Sequence, residues 1–373
     1  MKHKSVKQTV EDILSISDVK IDGQRPWDIK VYHPDFYSRL LAGSSMAFGE
    51  SYMDQWWDCE ALDQLIDRIW RARLDKKIRR SKEVIWNTIK ARLFNLQSRN
   101  RAFQVGEKHY DLGNDLYELM LDKRMNYSCA YWKNANTLDE AQEAKLNLIC
   151  RKMQLAPGMK VLDIGCGWGS FAKYAAEQYG AKVTGITISK KQLALAKENC
   201  AGLDVDIRLQ DYRDLNEKFE RAVSIGMFEH VGYKNYREYF KTVDRCLEDD
   251  GLFLLHTIGS NKKSTHLDPW INKYIFPNAV LPSAHQITKA SVDLMKIEDW
   301  HNFPSYYEKT LHAWNQNFNN NWEKIKDQYG VSFKRMWNFY LLSSAGTFKA
   351  GQNQLWQIVF SKIDAPIDYQ SIR

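Results

Sequence analysis

No stretch of this chain has the pattern of a segment that leaves the cell or crosses a membrane. A run of about 18 apolar residues is absent. The N-terminal Met-Lys-His-Lys-Ser-Val-Lys-Gln leads into no apolar h-region, so neither export nor a membrane span is expected. The six cysteines, Cys59, Cys129, Cys150, Cys166, Cys200 and Cys246, are scattered, with no C-x-x-C pair and no Cys/His spacing suited to zinc. Reduced thiols in a cytoplasmic protein are the simplest account, and no metal site is expected.

What is present is an ordinary globular composition with one unusual block. A chain of 373 residues with 44% hydrophobic content is long enough for two domains, each with a core. The formal net charge is +7, yet residues 68–101 hold twelve Lys or Arg against Asp75 and Glu83, a local +10 that leaves the remainder net acidic. Trp70, Leu74, Ile78, Trp86, Leu93 and Phe94 are interleaved with those cations. Helices of such a mixture can lie on a membrane interface, so peripheral contact with an anionic membrane surface is expected. A solvated linker is the plain alternative, and phosphate binding to a nucleic acid the other.

Residues 160–169, Lys-Val-Leu-Asp-Ile-Gly-Cys-Gly-Trp-Gly, organise the rest of the chain. Val161, Leu162 and Ile164 form the short apolar run of a buried parallel strand, glycines follow at once, and a helical pattern begins at Ser170. Such a turn lets a ligand lie against backbone N–H groups at a helix N-terminus. The spacing is G-x-G-x-G behind Asp163, not G-x-G-x-x-G, so S-adenosylmethionine fits better than a nicotinamide or flavin dinucleotide, with Asp163, Gly165 and Gly167 as cofactor-binding residues. A βα corner without a ligand is the alternative. Helix 170–179, strand 182–188, helix 190–200, strands 205–210 and 222–227, helix 235–247 and strand 251–258 then follow in turn. Helix 333–348 and strand 354–361 complete the sheet. The fold class expected is α/β: a Rossmann-like S-adenosylmethionine-dependent methyltransferase sheet with helices on both faces, plus a small N-terminal α+β domain.

Three regions follow from this reading: residues 1–67 as an accessory or dimerisation domain, 68–106 as a basic helical linker, and 107–373 as the catalytic domain. Within the first, Val6–Ser15 is helical, Val19–Tyr32 has Asp22-Gly23 as a hairpin turn, and helix resumes through Trp56-Trp57 and Leu62–Ile69. Asp54, Asp58, Glu60, Asp63 and Asp67 read as a solvated acidic face. In the third, Asp115–Leu121 and Leu138–Met153 are helical, flanking an aromatic loop at 125–132 placed to cover a pocket. The apolar insertion between Ser260 and Trp300 reads as an acyl-chain tunnel or lid, or as an extra packing layer.

Ligands of such a sheet sit beyond the carboxyl ends of its strands, and those ends are polar. They carry Thr187 with Gln192, Gln210-Asp211, Phe228-Glu229-His230, and His256-Thr257-Ile258. Asp211 suits the exocyclic amine of an adenine. The usual ribose-binding acid at the end of the second strand is missing, and Thr187 with Gln192 must substitute. Also missing are an Asp-Pro-Pro-aromatic motif after the fourth strand and any Pro-Cys nucleophile, which argues against amino-methylating nucleic-acid enzymes and cytosine C5 enzymes. Glu229 and His256 suggest instead a base or an anion-organising cluster beside a methyl donor.

Seven motifs in order carry a resemblance: HYDLGND (109–115), YSCAYW (127–132), VLDIGCGWG (161–169), LQDYRDL (209–215), GMFEHVG (226–232), LLHTIG (254–259) and DPWINKYIFPN (268–278). From about residue 10 to 362 the chain resembles the cyclopropane-fatty-acyl-phospholipid synthases, in the bacterial form with an N-terminal domain. The resemblance implies transfer of a methylene from S-adenosylmethionine to a cis double bond of an unsaturated phospholipid. A lipid methyltransferase that adds a methyl or methylene branch without ring closure is the close alternative. It implies that Tyr127, Ser128, Gly165, Gly167, Thr187, Gln192, Gln210 and Asp211 line the donor site. It further implies a bicarbonate ion held by side chains of Glu229, His256 and Tyr307 with backbone from Cys129 and Ile258. Tyr306 is adjacent to Tyr307, and Pro304-Ser305 leaves the register between the two open. A homodimer, peripheral on the inner face of the membrane and without a nucleic-acid partner, is the expected working form.

Overall fold

The computed structural model describes residues 5–74 and 113–373. Beyond Leu74 the expected basic linker, and with it the HYDLGND motif up to Leu112, lies outside the described residues. The N-terminal unit holds α1 (Val6–Ser15), β1 (Lys30–Val31), α2 (Phe36–Met53), β2 (Trp57–Asp58) and α3 (Leu62–Arg71). α4 (Asn114–Met120) and α5 (Leu138–Lys152) lead into the sheet, and α5 begins in a capping box formed by Thr137 and Glu140.

The sheet is built from β3 (Lys160–Ile164), β4 (Lys182–Thr187), β5 (Val205–Leu209), β6 (Phe219–Ile225), β7 (Leu247–Ser260), β8 (Met295–Asn302) and β9 (Asn353–Lys362). Its seven strands run in the order β5-β4-β3-β6-β7-β9-β8. β3 to β7 are mutually parallel, and β9 inserts antiparallel between β7 and β8. Between them stand α6 (Ser170–Tyr179), α7 (Lys190–Asn199), α8 (Tyr236–Cys246), α9 (Pro269–Tyr274), α10 (Ala284–Ser291), α11 (Ser305–Asn320) and α12 (Lys326–Lys349), the last kinked at Gly330. Because β3 neighbours both β4 and β6, the strand order reverses there and a crevice opens at its carboxyl end.

The expected alternation from 160 to 260 matches these elements within a few residues. Three expectations give way. No hairpin forms at Asp22-Gly23: the buried carboxylate of Asp28 takes the N–H of Lys20 at 2.9 Å and of Arg25 at 3.1 Å, gathering the segment into a loop. β1 pairs instead with β2, so Trp57 lies in a strand. Asp63 is not solvated: it is buried between α3 and the C-terminal helices, within 3.5 Å of His312 and 3.7 Å of Lys349.

Among the described residues, the buried side chains of the N-terminal unit share one core with the C-terminal helices. Val10, Leu14, Trp57 and Leu62 belong to one buried cluster with Trp270, Trp314, Trp337 and Phe339. Small residues allow the close approaches. At Gly49 of α2 an added Cβ would lie 2.5 Å from the Trp270 ring. At Gly346 of α12 it would strike the backbone carbonyl of Asp63 and come within 2.9 Å of Ile66 Cβ.

Gly346→Ala weighs two opposed effects. Helix propensity favours Ala by about 1 kcal/mol, whereas overpacking costs ~1–3 kcal/mol and here meets backbone, which cannot swing aside. Thermal denaturation of the variant should therefore show a lowered Tm. A raised Tm would mean that α3 and α12 part freely.

Candidate active site

The turn from β3 into α6 forms the floor of a cavity at the reversal point. Gly165, Gly167 and Gly169 have φ of 82°, 56° and 83°, which L side chains rarely adopt. A Cβ on Gly165 would lie 2.6 Å from Met227 Cγ, but one on Gly167 would meet nothing within 4 Å. The missing side chain at Gly167 thus leaves room for a ligand, not for packing. Tyr127, Ser128, Asp163, Gly165, Gly167, Thr187, Gln192, Gln210 and Asp211, the nine residues expected to bind the donor, all line this one cavity.

Their side chains are held in advance. The hydroxyl of Thr187 donates to Gln192 Oε1 at 3.0 Å, so the pair that must stand in for a ribose-binding acid is already joined. Asp211 accepts a fork from Arg213, at 2.8 Å from Nε and 2.6 Å from Nη2, which orients both carboxylate oxygens and leaves lone pairs for one further donor. Tyr127 and Tyr340 share a hydrogen bond at 2.9 Å between their hydroxyls. Burial pushes the Tyr127 phenol well above its usual pKa, so it stays neutral.

Sequence reasoning missed Lys145. It is 1% exposed, lines the cavity, and donates to Asn126 Oδ1 at 2.8 Å and Ser128 Oγ at 3.1 Å. Burial lowers its pKa to about 8 and raises that of Asp163 nearby to about 7, each opposed by attraction to the other. A signal was available: Lys145 falls on the buried stripe of α5 with Leu138, Ala141, Gln142 and Ile149, where a charge has no reason to be without a partner. His230 also lines the cavity, its pKa lowered to about 4 by burial.

Glu229, His256, Tyr307, Cys129 and Ile258 do not line that cavity; they adjoin it. The carbonyl of His256 accepts the N–H of Gly226 at 2.9 Å, and Gly226 is on the cavity wall. The Ile258 N–H donates to Glu229 Oε1 at 2.6 Å, so this backbone group anchors Glu229. Glu229 Oε2 and His256 Nε2 are each buried without a hydrogen-bond partner among the described residues, with Thr257 also close to the Glu229 carboxyl, and the Ile258 N–H that anchors Glu229 lies two residues along β7 from His256. Burial raises the Glu229 pKa to about 7 and lowers that of His256 well below its ordinary value. Burial likewise pushes the Cys129 thiol up, and Cys129 Sγ donates to the carbonyl of Ala130 at 3.2 Å, so it is no nucleophile. The two tyrosines diverge: the Tyr307 ring lies 4.6 Å from Phe348 and 6.0 Å from Trp314, whereas Tyr306 lies 5.4 Å from Tyr131. Trp314 is also 5.2 Å from Tyr127, which puts Tyr307 on the cavity's aromatic side.

The open sheet, parallel but for β9, and the glycine-turn cavity define a protein of the Rossmann-like methyltransferase fold. The chain matches the mycolic acid cyclopropane synthetase family over residues 97–358. It is 54% identical over 351 residues to the cyclopropane-fatty-acyl-phospholipid synthase of Escherichia coli (strain K12), covering 94% of this chain and 92% of that one. It is 33% identical to the sphingolipid C9-methyltransferase of Komagataella phaffii, over 72% of this chain and 59% of that one. A crystal structure of the mycolic acid cyclopropane synthase CmaA1 complexed with SAH and CTAB matches with a TM-score of 0.66 and 31% identity, over 70% of this chain and 98% of that one. The chain belongs to the mycolic acid cyclopropane synthetase family.

A pH dependence of stability follows from Glu229. Its folded pKa is raised from 4.5 to about 7, so folding takes up a proton; the stabilisation is complete below pH 4.5 and is lost as the pH rises toward 7. Glu229→Gln mimics the neutral acid. Across that window the ligand-free wild type should lose on the order of 2–3 kcal/mol relative to the variant, read by denaturant titration at several pH values. Parallel curves would mean that Glu229 is ionised in the fold throughout.

Proposed function

We infer that the protein transfers a methylene group from S-adenosylmethionine to the cis double bond of an unsaturated phospholipid acyl chain and closes a cyclopropane ring. The observation that carries this reading is that Glu229 and His256, each with a buried polar atom left without a partner, adjoin a glycine-floored cavity lined in part by Tyr127, Trp168, Phe171 and Tyr212. The 54% identity to a cyclopropane-fatty-acyl-phospholipid synthase outweighs the 33% identity to a sphingolipid C9-methyltransferase. Proton NMR of the lipid product separates the two outcomes.

Each group has a role in this reading. The glycine turn, Tyr127, Ser128, Asp163, Thr187, Gln192, Gln210 and Asp211 would hold the donor. An unactivated alkene is a poor nucleophile, so reaction needs alignment and exclusion of water, which the Tyr127 ring on the cavity wall, with Trp314 and Phe276 packed against it and Tyr340 against Phe276, would supply. Their neutral π faces favour positive charge developing on the acyl chain. Glu229, His256 and Tyr307 would hold bicarbonate, with Cys129 contributing backbone and Ile258 acting through its hold on Glu229. Bound there, the ion would supply a base for the methyl proton whose loss closes the ring.

The catalytic unit is read as 107–373, joined by the 68–106 linker to residues 1–67. The packing of α3 on α12 supports domain coupling for the N-terminal unit, beside the expected homodimer. No described helix is long and apolar enough to cross a membrane. The +10 charge of residues 68–101 supports meeting the lipid at an anionic, inner-face membrane surface, with no nucleic-acid partner in this reading.

Two variants should separate kinetically. Glu229→Gln should keep donor affinity within a few-fold yet lower kcat on the order of 10²-fold, measured with labelled donor and unsaturated vesicles. Asp211→Ala should mainly weaken donor binding by calorimetry, since a hydrogen bond to a charged group contributes roughly 1.5–3 kcal/mol. Parallel loss of binding and turnover in Glu229→Gln would move that residue into the donor site.

Arg71 is engaged by the fold, donating to Asp67 and to the carbonyl of Lys349, so the membrane test falls on its neighbours. Replacing Lys76, Lys77, Arg79 and Arg80 with Gln should weaken flotation with anionic vesicles by up to about 1 kcal/mol per charge and reduce its salt sensitivity. Unchanged flotation would leave only the linker reading.

A further inference from the structure

A neutral imidazole presents one donor and one acceptor, and the partner of one nitrogen decides what the other shows. His256 is 1% exposed; burial, and then the nearby Lys145, Lys152 and His301, all disfavour a protonated ring. Its Nδ1 lies 3.3 Å from Nε2 of Gln357. Gln357 stands directly opposite His256 across the β7–β9 ladder, and opposite His301 on the β8 side, so its backbone is fixed between two strands. It is fully buried in the apolar run of a central strand, where an amide is out of place unless it acts on something. Its own Oε1 has no partner in the protein. The amide is therefore not there to satisfy itself; the contact it keeps is the one to His256.

We propose that Gln357 is a positioning residue: its side-chain N–H donates to Nδ1 of His256 and so keeps the single imidazole proton on Nε2, the nitrogen presented to the anion site. This rests on the reading of Glu229 and His256 as that site. Glu229 can be acid or carboxylate near neutrality, so it does not by itself guarantee an anion a donor; a protonated Nε2 on His256 does, whereas a bare Nε2 lone pair would repel the anion's oxygens. The other possible role for Gln357, filling volume between β7 and β8, makes no demand on the tautomer.

Nitrogen-15 NMR of the imidazole nitrogens in the histidine-labelled full-length protein, without substrates, reads the tautomer directly, with His256 assigned through His256→Gln. The wild type should show a protonated Nε2 and a bare Nδ1. Gln357→Leu, of similar volume but without a donor, should mix the tautomers and lower kcat on the order of 10–100-fold while KM for S-adenosylmethionine stays within a few-fold. Gln357→Glu replaces the donor with an acceptor and should move the proton to Nδ1. A bare Nε2 in the wild type overturns the proposal, and that spectrum decides even where a variant does not fold. So does a Gln357→Leu protein with wild-type tautomer and kcat. The spectra involve neither substrate, so a wrong assignment of the reaction would leave the tautomer result standing and is detected separately by product analysis.

Discussion

Taking ionisable side chains out of water at the carboxyl ends of β3, β6 and β7 is the constraint on which the site depends. Asp163, Glu229 and His256 on those strand ends, with Lys145 from α5, are all nearly inaccessible. Desolvation of an ion in a protein interior costs on the order of several kcal/mol, which exceeds any single hydrogen bond made here. The groups respond by moving toward neutrality: the carboxyls up, the amine and the imidazole down. The result is a site whose dipoles are fixed before anything binds, and whose charges are available at small cost once a charged ligand arrives.

Preorganisation of that kind needs rigid walls, and the walls come from far along the chain. α9 is wedged between the N-terminal unit and the site. Its Trp270 packs on Gly49 of α2, and Lys273 and Tyr274 both reach Glu50 Oε1 at 2.8 Å. Just beyond, Phe276 lies 5.7 Å from the Tyr340 ring, and the Val280 N–H donates to the carbonyl of Glu229 at 2.8 Å. The insertion is thus pinned at one end by α2 and joined at the other to the polar pair. The N-terminal unit and the site are therefore joined by one continuous run of packed side chains.

How much of this was legible in the sequence varies with the physics of each segment. The βαβ run from 160 to 260 was readable because buried parallel strands are continuous apolar runs and the glycines are demanded by positive φ. β8 was not, because a register shift between Ile297 and Asp299 breaks the alternation and leaves Met-Lys-Ile-Glu-Asp-Trp-His-Asn looking like a loop. α11 was obscured by its Asn-rich end. Those amides are satisfied across the structure, Asn317 by the carbonyl of Met120, Asn315 and Asn319 by Asn338, which no local pattern announces. The nine residues expected to bind the donor could be named because they sit on motifs, and one cavity gathers them. Lys145 and Gln357 could be seen only as polar residues on apolar faces, and their partners, a loop residue and a residue on another strand, are matters of tertiary structure.

Ring closure and branch methylation share the donor, the alkene and the positive charge left on the acyl chain; they differ in which proton is lost. The aromatic walls do not choose, since a π face stabilises charge without accepting a proton. Nor do the buried phenols and thiol, which burial holds neutral in Tyr127 and Cys129. On the proposed reading the choice falls to a base held by Glu229 and His256, and to its orientation. Held by two groups, one tied to the Ile258 N–H and the other to Gln357, such a base would have little freedom to reach a second carbon. Selectivity for the ring would then depend on how tightly these side chains are held, more than on the chemical strength of the base.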